Sequence, residues 1–529
     1  MNRSIDFRQS YTAVLIFGIA MAVMEYFSPR CLDTYIFMCA LRNTNPDGYT
    51  LSGLLEYFNS LRVNDNLRVL NVLAPFFHLY VPQWLYALFI GFCCGLTLWV
   101  VLKFSDLRQG EGMLGFYMLW ALVAFLPWNN NLLVQVYSLN YIVPAAICLG
   151  GIWLLSKGTR RDTWWGSVLA VFGGMCHEAI GATLACGAVL MWLRFRDKRY
   201  RAFYVALLVA SAVSVLWMSL SHLTLRLGER EISQPAFLFM PKYWLIYNCL
   251  TVGLICLVGV AGCFGSTRRR LVKFVEENPY SLFFFGTAVG GFVLAGAVSL
   301  VPRTGYWPQL CAAVVWGMIL LPLLRRRLRA AKIVGGVLAA AFIVFAVWSG
   351  ALCRKLCEAY NDAEAQIESS PTGTVFADSL HPCDFPPLVT RFTIKGIFCE
   401  FFNYIVLSEY HTPKRVAFIP TELRDRPTDV TPDSLMRSES GYFYYRPSVP
   451  APWERHAPPG RGFVCYALNI KALGEADEQM MLPSLYLPYV APDGTQMVMV
   501  EPVFVHPSQV RELDFDPKNP DGLEEYFKK

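Results

Sequence analysis

The stretch WWGSVLAVFGGMCHEAIGATLACGAVLMWL, residues 164 to 193, decides how the chain is threaded. As one helix its 30 residues extend about 45 Å, well beyond a hydrocarbon core of about 30 Å. An ionisable pair, His177-Glu178, interrupts it midway. Charge parity gives a second reason to divide it. If the stretch crosses a bilayer once, Arg268-Arg269-Arg270 and Arg325-Arg326-Arg327 fall on the side opposite the earlier basic clusters. Read as two short helices, 164 to 176 and 179 to 193, it returns every cluster to one side.

Working outward, nine further apolar runs are long enough, or nearly so, to span. With the two short helices the eleven segments are 10 to 27, 84 to 102, 112 to 128, 142 to 156, 164 to 176, 179 to 193, 202 to 222, 243 to 264, 281 to 301, 306 to 324 and 333 to 352. The 529 residues are 55% hydrophobic and only 16% charged, which excludes an ordinary soluble enzyme. Met1 to Cys353 carries 29 Lys+Arg against 15 Asp+Glu, net +14; the remainder carries 17 against 25, net −8. Of the 29 basic residues, 21 lie in alternate connections: Arg3 and Arg8, Lys103 and Arg108, Lys157 to Arg161, Arg194 to Arg201, Arg268 to Lys273, and Arg325 to Lys332. Positive charge so distributed orients helices and does not indicate nucleic-acid binding. The expectation is a polytopic α-helical membrane protein over residues 1 to 353, N-terminus cytoplasmic, with an extracytoplasmic soluble domain over 354 to 529. The first span reads as an uncleaved helix rather than a signal peptide.

Sixteen cysteines imply no disulfide framework, because most lie within spans, where Cys behaves as a small apolar residue. No CxxC or zinc spacing occurs, so no cofactor is expected; a divalent metal is left open. The external segments lack Asn-x-Ser/Thr, in keeping with a bacterial envelope protein.

Polar residues gather on the external side. Residues 28 to 83 form a first external loop far longer than a connection needs, holding Asp33, the turn Asn45-Pro46-Asp47-Gly48, Asp65, Arg68 and an amphipathic stretch from Leu67 to Tyr80. Asn140 and Tyr141 belong to the second external connection, His177-Glu178 caps the short hairpin, and Arg303 follows Pro302 between two spans. Ionisable groups near hydrocarbon are costly, which makes each a candidate for a site. Each also has a structural reading. Arg303 can snorkel to lipid phosphates, His177 can bond to backbone at a turn, Asp33 can cap a helix, and Asp65 can serve a polar turn. Glu178, between two apolar half-helices, requires a partner or water.

The segments Leu32-Asp33-Thr34-Tyr35, Asn64-Asp65-Asn66-Leu67-Arg68, Leu139-Asn140-Tyr141, His177-Glu178 and Pro302-Arg303-Thr304, on this architecture, resemble the GT-C superfamily of integral membrane glycosyltransferases. The similarity is closest to uncharacterised bacterial multi-pass families related to the O-antigen glucosyl transferases, over roughly residues 10 to 420. The resemblance implies a polyprenyl-phosphate-linked sugar as donor, an envelope glycan or lipid as acceptor, and an Asp of the first external loop as acid/base or acceptor-positioning residue, here Asp33. Many members carry two adjacent acids there; this chain has Leu32-Asp33, so the first is absent. The residues suit that chemistry. Transfer needs a base within about 3 Å of the acceptor hydroxyl, served by a carboxylate of raised pKa, Asp33 first and Glu178 second. The leaving phosphate gathers charge that a fixed cation stabilises, Arg303 with Arg68 assisting. Asp65, Asn140, Tyr141 and His177 complete the substrate-binding set. Competing readings are a non-catalytic assembly or sensor protein and a transporter or flippase, the latter lacking the repeats usual in transporters.

After Arg354 a helix to about Ser369, strands at 374 to 378, 415 to 420, 463 to 467, 484 to 490 and 497 to 500, and a helix over 396 to 410 predict a small mixed α/β domain.

Overall fold

A computed structural model describes residues 11–29, 33–64, 66–128, 132–221, 241–298, 302–369, 374–377, 417–432, 434, 436–439, 443–448, 466–469, 479–482, 484–502 and 510–511. The chain divides into two compact units, one of Met1–Ser28 with Ala40–Ala351 and one of Pro29–Cys39 with Leu352–Lys529. The start of the long first loop therefore belongs to the second unit.

The described residues of each of the eleven apolar segments are mainly helical, with 243 to 264 divided between two helices. In chain order the helices are α1 (Thr12–Tyr26), α2 (Asp33–Thr44), α3 (Leu51–Asn64), α4 (Val69–Tyr80), α5 (Gln83–Phe104), α6 (Gly115–Phe125), α7 (Val143–Lys157), α8 (Arg160–Met175), α9 (Glu178–Arg194), α10 (Lys198–Met218), α11 (Pro241–Tyr247), α12 (Cys249–Cys263), α13 (Gly265–Glu277), α14 (Tyr280–Val298), α15 (Tyr306–Arg325) and α16 (Leu328–Ser369). Among the described residues, six helical stretches are long and apolar enough to cross a membrane: Gln83–Phe104, Gln135–Lys157, Lys198–Met218, Tyr280–Ala297, Arg303–Arg325 and Leu328–Ser369. This is compatible with a membrane-embedded protein.

The break in residues 164 to 193 is local chemistry. His177 is extended (φ −157°, ψ 122°), and its Nδ1 accepts the Ala179 N–H at 3.1 Å, so it caps α9 where α8 has ended. The two helices then fold back against α10: a Cβ on Gly174 lies 2.2 Å from Ser214 Oγ and 3.3 Å from the Gly181 Cα, an approach only glycines permit.

Contacts at helix ends sort unit 1 into two poles. At one, Lys103 bonds the Tyr11 hydroxyl at 2.7 Å, Tyr280 donates to the Ser156 carbonyl at 2.9 Å, Arg194 meets Glu276 at 2.5 Å, and Arg325 holds Glu111 at 2.8 Å. Here burial works against the Glu111 charge, but hydrogen bonds from Arg325 and the Arg108 backbone outweigh it and hold the carboxyl below its usual range. At the other pole Gln83 bonds the Glu25 carbonyl at 2.9 Å, Trp217 donates to the Leu67 carbonyl at 2.6 Å, and Arg68 reaches Glu178. Helices α5, α7, α9 and α10 each run from one pole to the other, and the described basic connections gather at the first.

The first loop holds more helix than the sequence predicts. The amphipathic α4 stands where expected and Gly48 (φ +113°) makes the turn, but α2 and α3 flank it. In the second unit, β1 (Thr374–Phe376) pairs parallel with β2 (Ala417–Ile419). A four-stranded antiparallel sheet has the order β3 (Met436–Arg437), β4 (Phe443–Tyr445), β8 (Gln496–Pro502), β7 (Ser484–Val490). A three-stranded one sets β5 (Tyr466–Asn469) between β6 (Gln479–Leu482) and β9 (Val510–Arg511). Asp493 Oδ1 accepts the Thr495 N–H at 2.9 Å and Gly494 takes φ +88°, which closes the β7–β8 hairpin. The expected helix over 396 to 410, Asp378 and the strand residues Phe463 to Cys465 lie outside the described residues.

Candidate functional site

Pro144 shapes the centre of the second pole. It has no N–H to offer the carbonyl of residue 140, and its ring crowds that carbonyl, so the turn before it widens. Ser138–Ile142 is accordingly a π-helical turn, a form frequent at functional sites. Asn140 and Tyr141 lie in that turn, both buried. The Tyr141 ring packs on the His177 ring with centroids 4.7 Å apart, and the Arg68 guanidinium stands 5.7 Å from the Tyr141 centroid on a cation–π contact.

Arg68 immediately precedes α4, which places its side chain across from the start of α9. Its Nε donates to Glu178 Oε2 at 2.8 Å and its Nη2 to Oε1 at 2.5 Å, a bidentate pair across 110 residues of sequence. The side chains are 12% and 38% exposed. Burial opposes the Glu178 charge, yet Arg68 and His177 outweigh it and hold the carboxyl below the usual carboxylate range. This corrects one expectation. Glu178 is not a carboxylate of raised pKa awaiting an acceptor proton; it is an ionised partner that fixes Arg68, and Arg68 in turn is already committed to a carboxylate.

Arg303 lies in the 3₁₀ turn Pro302–Gly305 ahead of α15, with its guanidinium 4.0 Å from the centre of the Tyr137 ring. Its charge reaches His177. Burial is the largest cause holding the His177 ring neutral, Arg68 and Arg303 add to it, and Glu178 opposes them, with the balance pushed down to about 4. The structural reading of His177, bonding to backbone at a turn, is therefore realised.

Six residues singled out from sequence thus meet at one pole of unit 1: Arg68, Asn140, Tyr141, His177, Glu178 and Arg303. Asp33 stands apart from them in chain organisation. It opens α2 as the acid of its first turn and belongs to the second unit, where its neighbour Tyr35 bonds the Glu364 carboxylate. Asp65 lies outside the described residues. Among those described, no group of three or more His, Cys, Asp or Glu has the spacing of a metal site.

Sequence reasoning passed over a second network at the same pole. Glu25, 1% exposed near the end of α1, is hydrogen-bonded by Ser138. Ser138 also meets the Tyr86 hydroxyl at 2.6 Å; Tyr86 donates to the Gln135 carbonyl at 2.9 Å, and the Gln135 amide oxygen lies 2.6 Å from His78 Nδ1. The available signal was an acid in the last turn of an apolar span, a position that burial makes costly unless partnered. No protein-family model matches this chain, and no curated protein matches its sequence.

Proposed function

We propose that the chain is an integral membrane glycosyltransferase that moves a sugar from a polyprenyl-phosphate donor to an envelope glycan or lipid acceptor. In this reading eleven helices cross the bacterial cytoplasmic membrane, and the pole bearing the basic connections is cytoplasmic by the positive-inside rule. The site pole and the C-terminal domain then face outward. One observation carries the proposal: Arg68, Asn140, Tyr141, His177, Glu178 and Arg303, chosen for their resemblance to GT-C motifs, converge on the pole opposite the basic connections.

The geometry suits loss of a phosphate. As the glycosidic bond breaks, negative charge collects on the departing phosphate, and a guanidinium at headgroup level stabilises it without reorganising. Arg303, supported on the Tyr137 ring, takes that role. Glu178 keeps Arg68 oriented beside it. The resemblance assigns the proton of the acceptor hydroxyl to Asp33, and the lipid tail of the donor stays in the bilayer.

The test is mass spectrometry of envelope glycans and lipid-linked sugars from a deletion strain complemented with wild type, Arg303→Ala or Asp33→Asn at matched abundance. Loss of one sugar in the deletion strain and both variants supports transfer, and the missing mass names the sugar. Full activity of Asp33→Asn removes Asp33 from the site. No change in any glycan on deletion overturns the enzyme and favours an assembly or sensor protein whose external domain binds a partner.

A further inference from the structure

Among the described residues, the buried polar atoms at the site pole that lack a hydrogen-bond partner include Asn71 Oδ1, Asn140 Oδ1 and His177 Nε2, on residues each 2% exposed. They come from elements that pack on one another. The helix α4, which carries Asn71, packs against the π turn that carries Asn140; the ring of the next residue in that turn, Tyr141, packs at a tilt against the His177 ring. Asn71 also sits at a weak point of its helix. Pro75, four residues on, cannot donate to the Asn71 carbonyl, which accepts instead from the Tyr57 hydroxyl at 3.3 Å. A buried donor or acceptor left unpaired carries a desolvation cost, so three together mark a place where something else supplies the partners.

The chemistry of that partner follows from the tautomer. His177 Nδ1 accepts the Ala179 N–H, so the neutral ring carries its proton on Nε2 and the unpaired atom there is a donor. The other two are amide oxygens, which only accept. A phosphate or carboxylate satisfies the donor but neither acceptor; an ammonium satisfies the acceptors but not the donor. A hydroxyl or a water does both, and a ligand with several hydroxyls answers all three.

We propose that His177 Nε2, Asn140 Oδ1 and Asn71 Oδ1 form the subsite that reads the hydroxyl groups of the transferred sugar. The proposal rests on the transferase reading above and goes beyond it by assigning the sugar's recognition to residues on α4, the π turn and the cap of α9.

The test measures binding to the full-length protein in lipid nanodiscs. The probes are farnesyl phosphate and its glucosyl, galactosyl, mannosyl and N-acetylglucosaminyl esters, followed by monodeoxy analogues of whichever ester binds best. The variants are His177→Asn, which keeps a capping side chain but withdraws the Nε2 donor, and Asn140→Leu and Asn71→Leu, which replace an unpaired acceptor with an apolar group of similar size. Wild type is expected to prefer one glycosyl ester over bare farnesyl phosphate. Each variant is expected to lose about 10- to 100-fold in affinity for that ester, with its affinity for farnesyl phosphate unchanged. At least one deoxy analogue is expected to lose affinity for wild type and no further affinity for the matching variant. Thermal melts equal to wild type for the two Leu variants exclude misfolding as the cause. If farnesyl phosphate binds wild type but no ester is preferred, or the variants keep the preference, the subsite is overturned while the transferase reading stands. If no probe binds wild type, both fall.

Discussion

Acid titration of His177 offers a direct test of the site's geometry. The ring is 2% exposed, caps α9 through Nδ1, and has its pKa pushed down to about 4 from an ordinary 6.5. Its folded value is depressed, so the neutral ring's contribution is complete above pH 6.5 and is lost as pH falls from there toward 4. Between pH 7 and pH 5 the unfolded chain takes up most of a proton that the folded chain refuses. With those two values the loss by pH 5 is about 2 kcal/mol. His177→Asn keeps an N-cap acceptor and cannot titrate. The assay is the free energy of unfolding by SDS titration in mixed micelles at the two pH values, for the wild type and for His177→Asn. Comparing the two proteins cancels the other titrating groups. Wild type should lose about 2 kcal/mol more than the variant; an equal pH response in both refutes the buried neutral cap.

Three further outcomes follow from the structure. Arg68→Gln and Glu178→Gln, singly and together, should give a coupling energy of about 1–3 kcal/mol in a double-mutant cycle, reduced from a fully buried pair because Glu178 is 38% exposed; additive effects remove the pair. Glu111→Gln should destabilise the opposite pole by about 1–2 kcal/mol. Because the Glu111 pKa is lowered, that difference is present above about pH 4.3 and shrinks as pH falls below it, so a gap that persists in acid contradicts the Arg325 contact. Gly91→Ala places a Cβ 2.4 Å from the Gly18 carbonyl oxygen and 2.6 Å from the Ala22 Cβ. Separating α1 from α5 to admit it should cost about 1–3 kcal/mol, and an unchanged melting midpoint argues against that packing.

The local elements were legible because their causes are local. Apolar runs located helix in each of the eleven segments, though 243 to 264 is divided into α11 and α12, and β7 and the end of α16 fall where the residue pattern placed them. The break at residues 176 to 178 followed from length and charge parity, and His177 supplies the cap that makes it. The helices α2 and α3 were missed because the first loop mixes polar and apolar residues without a long run. Glu25 was missed because one acid inside a span gives no hint of whether a hydroxyl such as Ser138 will meet it.

What the sequence determined by itself was the set of apolar helices and the roster of costly polar residues, since hydropathy and charge act within a single segment. Tertiary structure alone decided how the roster divides. Arg68 and Glu178 are 110 residues apart, and only the tertiary fold, which brings the residue before α4 to the head of α9, made a candidate substrate-binding cation and a candidate base one another's partner. The packing of α4 on the π turn leaves Asn71 Oδ1 and Asn140 Oδ1 buried without a partner. Asp33 and the six convergent residues look alike as polar punctuation between apolar runs, and they fall into different units because the contacts that define a unit join segments distant in sequence.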